Sequence, residues 1–340
     1  MYERFYGLSV RPFDLTPNPR FLYLTDGHRE ALSSLQYGIT RRRGVTLLIG
    51  EAGTGKTTIV RAALEAVAGP STHLVYLSNP ALSRAEFYEF LAARFGFESH
   101  AGQSKARFLL DLERTVLARH AAGGVTALII DEAQSLPHEL IEEVRLLANV
   151  ETATEKLLPV VLAGQPELAE RLEHEDLRQL KQRVALRCDL HPLDIRETAA
   201  YIAGRLKIAG GDCANIFTRE AVQTIYDRSR GIPRTISVIC DNALVTGFAA
   251  GVRPVGSNVV LEVCRDFRLS PAKEAAAPGV LFSAQDAVAP QPTNGNGTGT
   301  APSVKPPSAA ASEARLQPAS HVRDGHIFSS YTKPKRFRFF

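Results

Sequence analysis

The sequence predicts an α/β fold, a three-layer α/β/α core with a parallel sheet, followed by an all-helical domain and a disordered tail. Three observations predict it. Short apolar runs alternate with helical patterns up to about residue 190, helix-start signals without strands follow, and the residues after 269 are rich in Ala, Pro, Gly, Ser and Thr. We expect segments at 1–40, 41–191, 192–269 and 270–340.

The strands of the core are predicted from nearly continuous apolar runs, which are typical of strands covered on both faces. These runs are residues 45–50, 73–78, 125–131 and 157–164. A fifth strand is predicted at 185–193, where alternation places Leu186, Cys188 and Leu190 on one face. Between the strands, Ser83 and Glu86 have the spacing of a capping box that starts a helix.

The helical domain is predicted from four start signals. Asp194 and Glu197 form a capping-box variant, Thr218 is a candidate cap, Pro233 suits a first helical turn, and Ser257 is a candidate cap. Four helices without strands between them indicate a separate domain over residues 192–269.

Charge and composition limit the classes of protein. Eight Lys and Arg and four Asp and Glu lie after residue 270, so the totals of 40 and 36 leave 32 of each sign for the folded body. A neutral body gives no general electrostatic argument for binding nucleic acid. No apolar run approaches the roughly 18 residues of a membrane span, and the N-terminus lacks the apolar core of a signal peptide, so we expect a cytoplasmic protein. The four cysteines are scattered, which favours buried thiols over a zinc site or disulfides.

The strongest signal is the segment Gly50–Thr57, which reads GEAGTGKT and lies between an apolar strand and a helix expected at 58–67. It fits the pattern G-x-x-x-x-G-K-[ST] of a phosphate-binding loop. Glycines allow the backbone N–H groups to surround phosphates, Lys56 reaches the β and γ phosphates, and the Thr57 hydroxyl is a ligand for Mg²⁺. We therefore expect ATP and Mg²⁺ as cofactors. The residues expected to bind nucleotide are Gly50, Glu51, Ala52, Gly53, Thr54, Gly55, Lys56, Thr57, Thr58 and Arg234.

Two carboxylates follow a later apolar strand in the segment ALIIDEAQ. Ligands of parallel sheets bind at the carboxyl ends of the strands, so Asp131 is placed to hold the metal, directly or through water. Glu132 is placed to polarise a water in line with the γ phosphate. The pair predicts hydrolysis, because a protein that only binds nucleotide does not need Glu132.

Further polar residues are candidates for the same chemistry. Gln165 follows the next apolar strand and either positions the attacking water and senses the γ phosphate, or is an ordinary turn residue. Charge on the transition state needs more cations than Lys56. Among Arg178, Arg183 and Arg187 we select Arg183 as a residue that reaches a neighbouring subunit, and Arg234, in the segment GIPR, as one that folds over the nucleotide.

These motifs together resemble AAA+ ATPases of the origin-recognition-related type. The opening FYGLSVRPFDLTPNPRFLYLTDGHREALSSLQYGI, combined with IIDEAQ and AGQPEL, is similar to general secretion pathway protein A type ATPases, over residues 1–268. The resemblance implies a helical lid, oligomers in which Arg183 acts in trans, Gln165 as a first sensor and Arg234 as a second. It also implies that the N-terminal arm lines the adenine side, with Phe13 and Tyr37 as candidates; the alternative is that these two residues are ordinary core aromatics.

The resemblance also implies a role in assembling or remodelling a partner in a secretion or cell-envelope system. Relatives of this type continue into a membrane span, whereas this sequence continues into the tail, so we expect it to act through partners at the inner membrane. An alternative is a DNA-associated regulator that uses the triplet 41–43 and the basic-aromatic end KPKRFRFF, and another is a nucleotide-dependent scaffold with little turnover. The same end has the composition of a weak contact with anionic lipid.

Overall fold

The computed structural model of the protein describes residues 1–14, 21, 23–98, 102 and 104–269. The predicted tail at 270–340, with its KPKRFRFF end, lies outside the described residues. Within them no helix combines the length and the apolar composition needed to span a membrane.

A five-stranded parallel sheet forms the centre of the molecule. The strands are β1 (Val45–Gly50), β2 (Thr72–Leu77), β3 (Val125–Ile130), β4 (Val160–Gly164) and β5 (Val184–Leu190). Their order is β2-β3-β4-β1-β5, so β1 lies between β4 and β5, and the ends of β1, β3 and β4 are close together. Because the strands are parallel, all their carboxyl ends lie at one edge, where the predicted site residues follow them.

Helices connect the strands and then form the second part of the molecule. They are α1 (Tyr2–Tyr6), α2 (Asp26–Thr40), α3 (Lys56–Val67), α4 (Arg84–Phe95), α5 (Lys105–Ala121), α6 (His138–Leu147), α7 (Pro166–Leu172), α8 (Arg178–Lys181), α9 (Ile195–Ile208), α10 (Arg219–Ser229), α11 (Pro233–Ala249) and α12 (Ser257–Asp266).

Alternate side chains of the strands enter two different cores. Leu47 and Ile49 of β1 pack with α4, α5 and α6, whereas Leu48 packs on the other face with α2 and α3. Leu128 and Ile129 of β3 divide in the same way. Both faces of the sheet are therefore covered, and the predicted three-layer α/β/α core is confirmed.

A third core holds the lid helices α9–α12 together with the beginning of the chain. Tyr2, Tyr6 and Phe13 are buried among lid residues that include Phe217 and Leu244. The Tyr2 hydroxyl donates to the Asp241 carboxylate at 2.5 Å. The first residues of the N-terminal arm are thus part of the lid core, although more than 180 residues separate them from α9 along the chain.

Most of the predicted helix starts are confirmed. Ser83 and Glu86 form a complete capping box, as do Asp194 and Glu197, and the Thr218 hydroxyl accepts a hydrogen bond from the backbone of α10. Ser257 is not a cap, because it is the first residue of α12 and Gly256 occupies the cap position without a side-chain bond.

β2, β3 and β5 differ from the predicted ranges by one to three residues at their ends, and two further differences, in β4 and α3, have a clear cause. β4 begins at Val160, not at Leu157, because Pro159 has no N–H to donate to a neighbouring strand. Leu157 and Leu158 are nevertheless buried, which explains the apolar run. α3 begins at Lys56, two residues before the predicted start, and the loop therefore ends at Gly55.

All four cysteines are free thiols, three of them buried and Cys213 half-buried. Burial raises the pKa of the Cys240 thiol well above its usual range. Across the described ranges no three His, Cys, Asp or Glu side chains are grouped to hold a metal ion.

Candidate functional site

The loop between β1 and α3 curls around a space that its own backbone encloses. Gly53 and Gly55 have φ angles of 84° and 102°, in the left-handed region that favours glycine. The Thr54 hydroxyl is buried and donates to the carbonyl of Glu51 at 2.8 Å, which closes the turn. Since α3 begins directly after Gly55, its free N–H groups and its positive end face the same space.

Lys56 is the cation of this loop. Its ammonium donates to the carbonyls of Gly50 and Glu51 at 2.7 and 3.0 Å, and the residue is only 5% exposed. Burial lowers the pKa of Lys56, while the negative charges of Glu132 and Asp131 act in the opposite direction. An ammonium bonded to two neutral carbonyls can exchange them for phosphate oxygens, which bind it more strongly.

Asp131 follows β3 and faces the start of α3. One carboxylate oxygen accepts from the hydroxyls of Thr57 at 2.7 Å and Tyr76 at 2.9 Å, and the other accepts from the backbone N–H of Glu132 at 3.0 Å. Burial, followed by the charge of Asp131, raises the pKa of Tyr76 to about 12. Thr57 and Asp131 thus present a hydroxyl and a carboxylate together, and such hard oxygen donors suit Mg²⁺.

Glu132 is held by a neighbour in the same turn. Gln134 donates its side-chain amide to the Glu132 carboxylate at 2.6 Å, and the amide oxygen of Gln134 accepts from the backbone N–H of Gln165 at 3.1 Å. Arg171 donates to the Gln134 carbonyl at 2.6 Å. The ends of β3 and β4 are therefore joined by one side chain, which fixes the direction of the Glu132 carboxylate.

A cavity of about 320 Å³ lies where these groups meet the lid. Its lining includes Lys56, Thr57 and Glu132 from the core and Arg234 from the start of α11. The backbone N–H of Arg234 donates to the Gly53 carbonyl at 3.3 Å, so the lid directly contacts the loop. A Cβ on Gly53 would lie 2.9 Å from the Cβ of Arg234, which leaves room for glycine alone.

A second cavity, of about 100 Å³, adjoins the first on the side of the N-terminal arm. Aromatic rings and a histidine line it, together with apolar groups of the lid. The side chains of this kind are Phe21, Tyr23, His28 and Tyr201. A narrow space between rings beside a phosphate cradle has the character of a pocket for a flat base.

The expectation that Phe13 and Tyr37 line this pocket is wrong. Phe13 is fully buried in the lid core, with its ring centroid 6.5 Å from that of Phe217. Tyr37 lies about two and a half turns along α2 from His28, and its hydroxyl accepts from Arg43 at 2.8 Å. Neither residue lines the pocket. Its rings come from Phe21 and Tyr23 of the arm and from Tyr201 of α9.

The remaining predicted residues lie apart from the cavity lining. Gln165 is the residue before α7, and it contacts Gln134 through its backbone. Arg183 lies at the opposite edge of the sheet, just before β5, and its Nε donates to Asn149 at 2.6 Å. The six residues of β1 separate the two edges by about 20 Å, at roughly 3.3 Å per residue. Arg183 cannot reach the nucleotide cavity of its own chain.

The structure adds site residues that sequence patterns do not single out. His28 bridges the Thr25 hydroxyl, at 2.7 Å, and the Thr54 carbonyl of the loop, at 3.1 Å. Tyr76 and Gln134 hold the two carboxylates, and Arg205 lies between the cavities. His28 stands in the HREAL part of the opening segment and Gln134 is the last residue of IIDEAQ, whereas Tyr76 and Arg205 have no local motif and become visible only through long-range contacts.

Comparison with known proteins identifies a domain family and a sequence relative. The AAA domain family matches residues 39–172. General secretion pathway protein A of Aeromonas hydrophila is 44% identical over 255 residues, which cover 74% of this chain and 46% of that protein. The chain therefore contains an AAA domain and has the P-loop fold of AAA+ ATPases. It spans less than half the length of this secretion relative.

Solved structures of AAA+ proteins share the fold. An ORC2 protein of Aeropyrum pernix, in ADPNP and ADP complexes, has a TM-score of 0.55 and 17% identity, with 75% of this chain and 71% of that chain covered. The ORC of Drosophila bound to DNA has a TM-score of 0.57 and 20% identity, with coverage of 76% and 65%. Cdc6p of Pyrobaculum aerophilum has a TM-score of 0.57 and 16% identity, with coverage of 75% and 70%. At these identities the likeness concerns the fold.

Proposed function

We propose that this AAA+ protein binds ATP with Mg²⁺ and hydrolyses it to ADP and phosphate. One observation carries the proposal: Lys56, Thr57, Glu132 and Arg234, which come from three separate parts of the chain, line a single cavity at the end of the sheet. Asp131 bonds to Thr57 beside them. A loop that only binds phosphate needs the first two of these residues and has no use for a carboxylate fixed at the position of Glu132.

Each of these residues has a separate role in the proposed reaction. Lys56 leaves the carbonyls of Gly50 and Glu51 and binds the β and γ phosphates. Thr57 and Asp131 would hold Mg²⁺, which neutralises charge on the phosphates. Glu132 accepts a proton from the attacking water as its oxygen bonds to the γ phosphorus. The bond from that phosphorus to the bridging oxygen breaks, and ADP and phosphate leave.

Positive charge from a neighbouring chain would complete the site. Arg183 is about 20 Å from its own cavity, at roughly 3.3 Å per strand residue, so it can act only on nucleotide bound by another copy. We infer an oligomer in which the sheet edge that carries Arg183 meets the nucleotide edge of the next chain. We also propose that Gln165, one residue beyond β4, senses the γ phosphate by turning its side chain toward the cavity.

The test is ATP turnover per chain against protein concentration, with Glu132→Gln, Arg183→Ala and the exposed Arg178→Ala as matched control. Turnover that rises with concentration, falls about 100-fold or more in the first two variants and persists in the control supports the proposal. ATP binding must survive in Glu132→Gln. Turnover at background in the wild type at every concentration would reject hydrolysis by the unaided protein and favour a nucleotide-dependent scaffold.

The similarity to general secretion pathway protein A supports a finer proposal about the client. The matched 255 residues run over most of the described part of this chain. We propose a protein client in a secretion or cell-envelope system, with the chain in the cytoplasm and held peripherally at the inner membrane by that client. Cell fractionation with Glu132→Gln, which should retain ATP and its client, tests this. Full recovery in the cytosolic fraction, with and without cross-linking, would contradict it.

A second candidate function is binding of DNA, and a separate cavity favours it. A space of about 830 Å³ at the edge opposite the nucleotide is lined by Arg41, Arg42, Arg43, Lys156 and Arg183. Glu155 offsets one charge through its contact with Arg42, and Glu151 pairs with Lys156. The remaining excess of cations suits a phosphate backbone.

Binding of a fluorescent DNA duplex between about 50 and 200 mM salt tests this candidate. A steep salt dependence that is lost in the double variant Arg41→Ala with Arg43→Ala would assign the cavity to DNA. Loss on deletion of residues 270–340 instead would assign the contact to the tail. Equal, weak binding by all the proteins at low salt would reject this function.

A further inference from the structure

Arg205 occupies the junction between the two cavities of the nucleotide site. It is on the lid helix α9, and it lines both the space beside the base pocket and the space beside the phosphate loop. Among the described residues it is the one charged side chain that borders both cavities. Its position therefore corresponds to the part of a nucleotide that joins base to polyphosphate.

Contacts hold the guanidinium in this place without using all its donors. One terminal nitrogen, Nη1, donates to the carbonyl of Pro12 at 2.9 Å. The guanidinium carbon lies 5.6 Å from the ring centre of Phe21 and 4.9 Å from that of Tyr201, at cation–π distance. The side chain thus spans the N-terminal arm and the lid.

The Nε–H of Arg205 is buried and has no hydrogen-bond partner within the described part of the chain. A buried donor on a charged group without an acceptor is costly, because it has lost its water and gained nothing in return. The Arg205 side chain lines both cavities, so a ligand held there can supply the acceptor once the guanidinium turns toward it. A phosphate oxygen is the acceptor that a guanidinium binds best.

We propose that Arg205 binds the α-phosphate of the nucleotide and so ties the arm to the lid when the site is filled. The proposal rests on the proposed nucleotide site and names a residue of that site. Lys56 and the loop hold the β and γ phosphates, Arg234 lies further along the same cavity, and Arg205 takes the phosphate nearest the base. Since ATP and ADP share the α-phosphate, Arg205 should stabilise both to the same degree.

The experiment measures dissociation constants of the full chain for ATP and ADP, with Arg205→Gln and Arg196→Gln. Arg196 is an exposed arginine on the same helix and serves as matched control. We expect Arg205→Gln to weaken ATP and ADP alike by about 10- to 100-fold, and Arg196→Gln to leave both unchanged. A loss confined to ATP would place Arg205 at the γ phosphate and overturn the proposal, as would unchanged affinity.

A sulfur substitution separates a direct contact from a structural role. The wild type should prefer ADP over one diastereomer of ADP with sulfur on the α-phosphate, and this preference should shrink in Arg205→Gln. ADP with sulfur on the β-phosphate is the control, whose penalty should be equal in both proteins. A preference that persists in the variant would show that Arg205 only supports the arm. If Arg205→Gln does not fold, Arg205→Lys takes its place.

Failure of the inference and failure of the proposed function are distinguishable. A wild type that binds neither ATP nor ADP would reject the nucleotide site as a whole. A wild type that binds both, with an Arg205→Gln variant that binds both equally well, would reject the role of Arg205 alone.

Discussion

Glu132 has a backbone conformation that is uncommon for a residue with a Cβ. Its φ angle is 51°, in the left-handed region, which costs on the order of 1–2 kcal/mol for a residue other than glycine. The turn is retained because Asp131 accepts from the Glu132 N–H and Gln134 donates to its carboxylate. This strained conformation directs the Glu132 carboxylate into the cavity. Strained backbone conformations of this kind are common at functional sites.

Gln134 is a positioning residue for Glu132, and its removal should separate turnover from binding. In Gln134→Ala we expect kcat to fall about tenfold or more, because a misplaced base loses alignment with its water, while the Kd for ATP stays within about twofold. Steady-state kinetics and an ATP titration measure the two quantities. Gln179→Ala is the control, because Gln179 is an exposed glutamine outside this network. An unchanged kcat in Gln134→Ala would contradict the assignment.

At the scale of elements, the turn before α11 connects the lid to the core. Gly231 has a φ of 71°, and a Cβ added there would lie 1.9 Å from the Leu193 carbonyl. The Gly231 carbonyl also accepts from the Leu193 N–H at 2.8 Å. Arg234 follows three residues later and contacts Gly53. The position of Arg234 therefore depends on the close approach of Gly231 to Leu193.

Gly231→Ala should therefore destabilise the protein much more than Gly251→Ala. Gly251 also has a positive φ, of 67°, but an added Cβ there meets nothing within 4 Å. We expect a loss of about 1 kcal/mol in Gly251→Ala from the backbone alone, and at least about 2 kcal/mol more in Gly231→Ala from the clash. Denaturant unfolding of both variants measures the difference. Equal losses would show that the turn can shift away from Leu193 without cost.

The sequence predicts whole elements better than it predicts their contacts. Continuous apolar runs locate the strands because both faces of the sheet are buried, and the loop before Lys56 can be recognised because glycines, lysine and threonine occur in fixed order. The prediction that Ser257 is a cap is wrong because the residue before it, Gly256, takes the cap position. Local sequence patterns do not show which residue an aromatic side chain packs against, because the two can be far apart in the chain. Phe13 packs against Phe217, about 200 residues away.

At the scale of the whole molecule, the nucleotide cavity is formed by the core and the lid together. Bound ligand should therefore stabilise both. ATP with Mg²⁺ at about 100 times its Kd should add about 2.7 kcal/mol and raise Tm by several degrees. Thermal melts of the wild type and of Lys56→Ala test this. We expect no shift in Lys56→Ala and an undiminished shift after deletion of residues 270–340. A full shift in Lys56→Ala would contradict the assigned site.

The burial of the first helix in the lid core has a consequence for the order in which the chain folds during synthesis. Tyr2 leaves the ribosome 239 residues before its partner Asp241, a delay of roughly 10 to 50 s at about 5–20 residues per second. The α/β core, complete at Leu190, can form within that interval, whereas α1 must wait with its aromatic side chains exposed. A nascent chain therefore carries a folded sheet and an unpaired apolar N-terminus at the same time, which is the surface that chaperones bind.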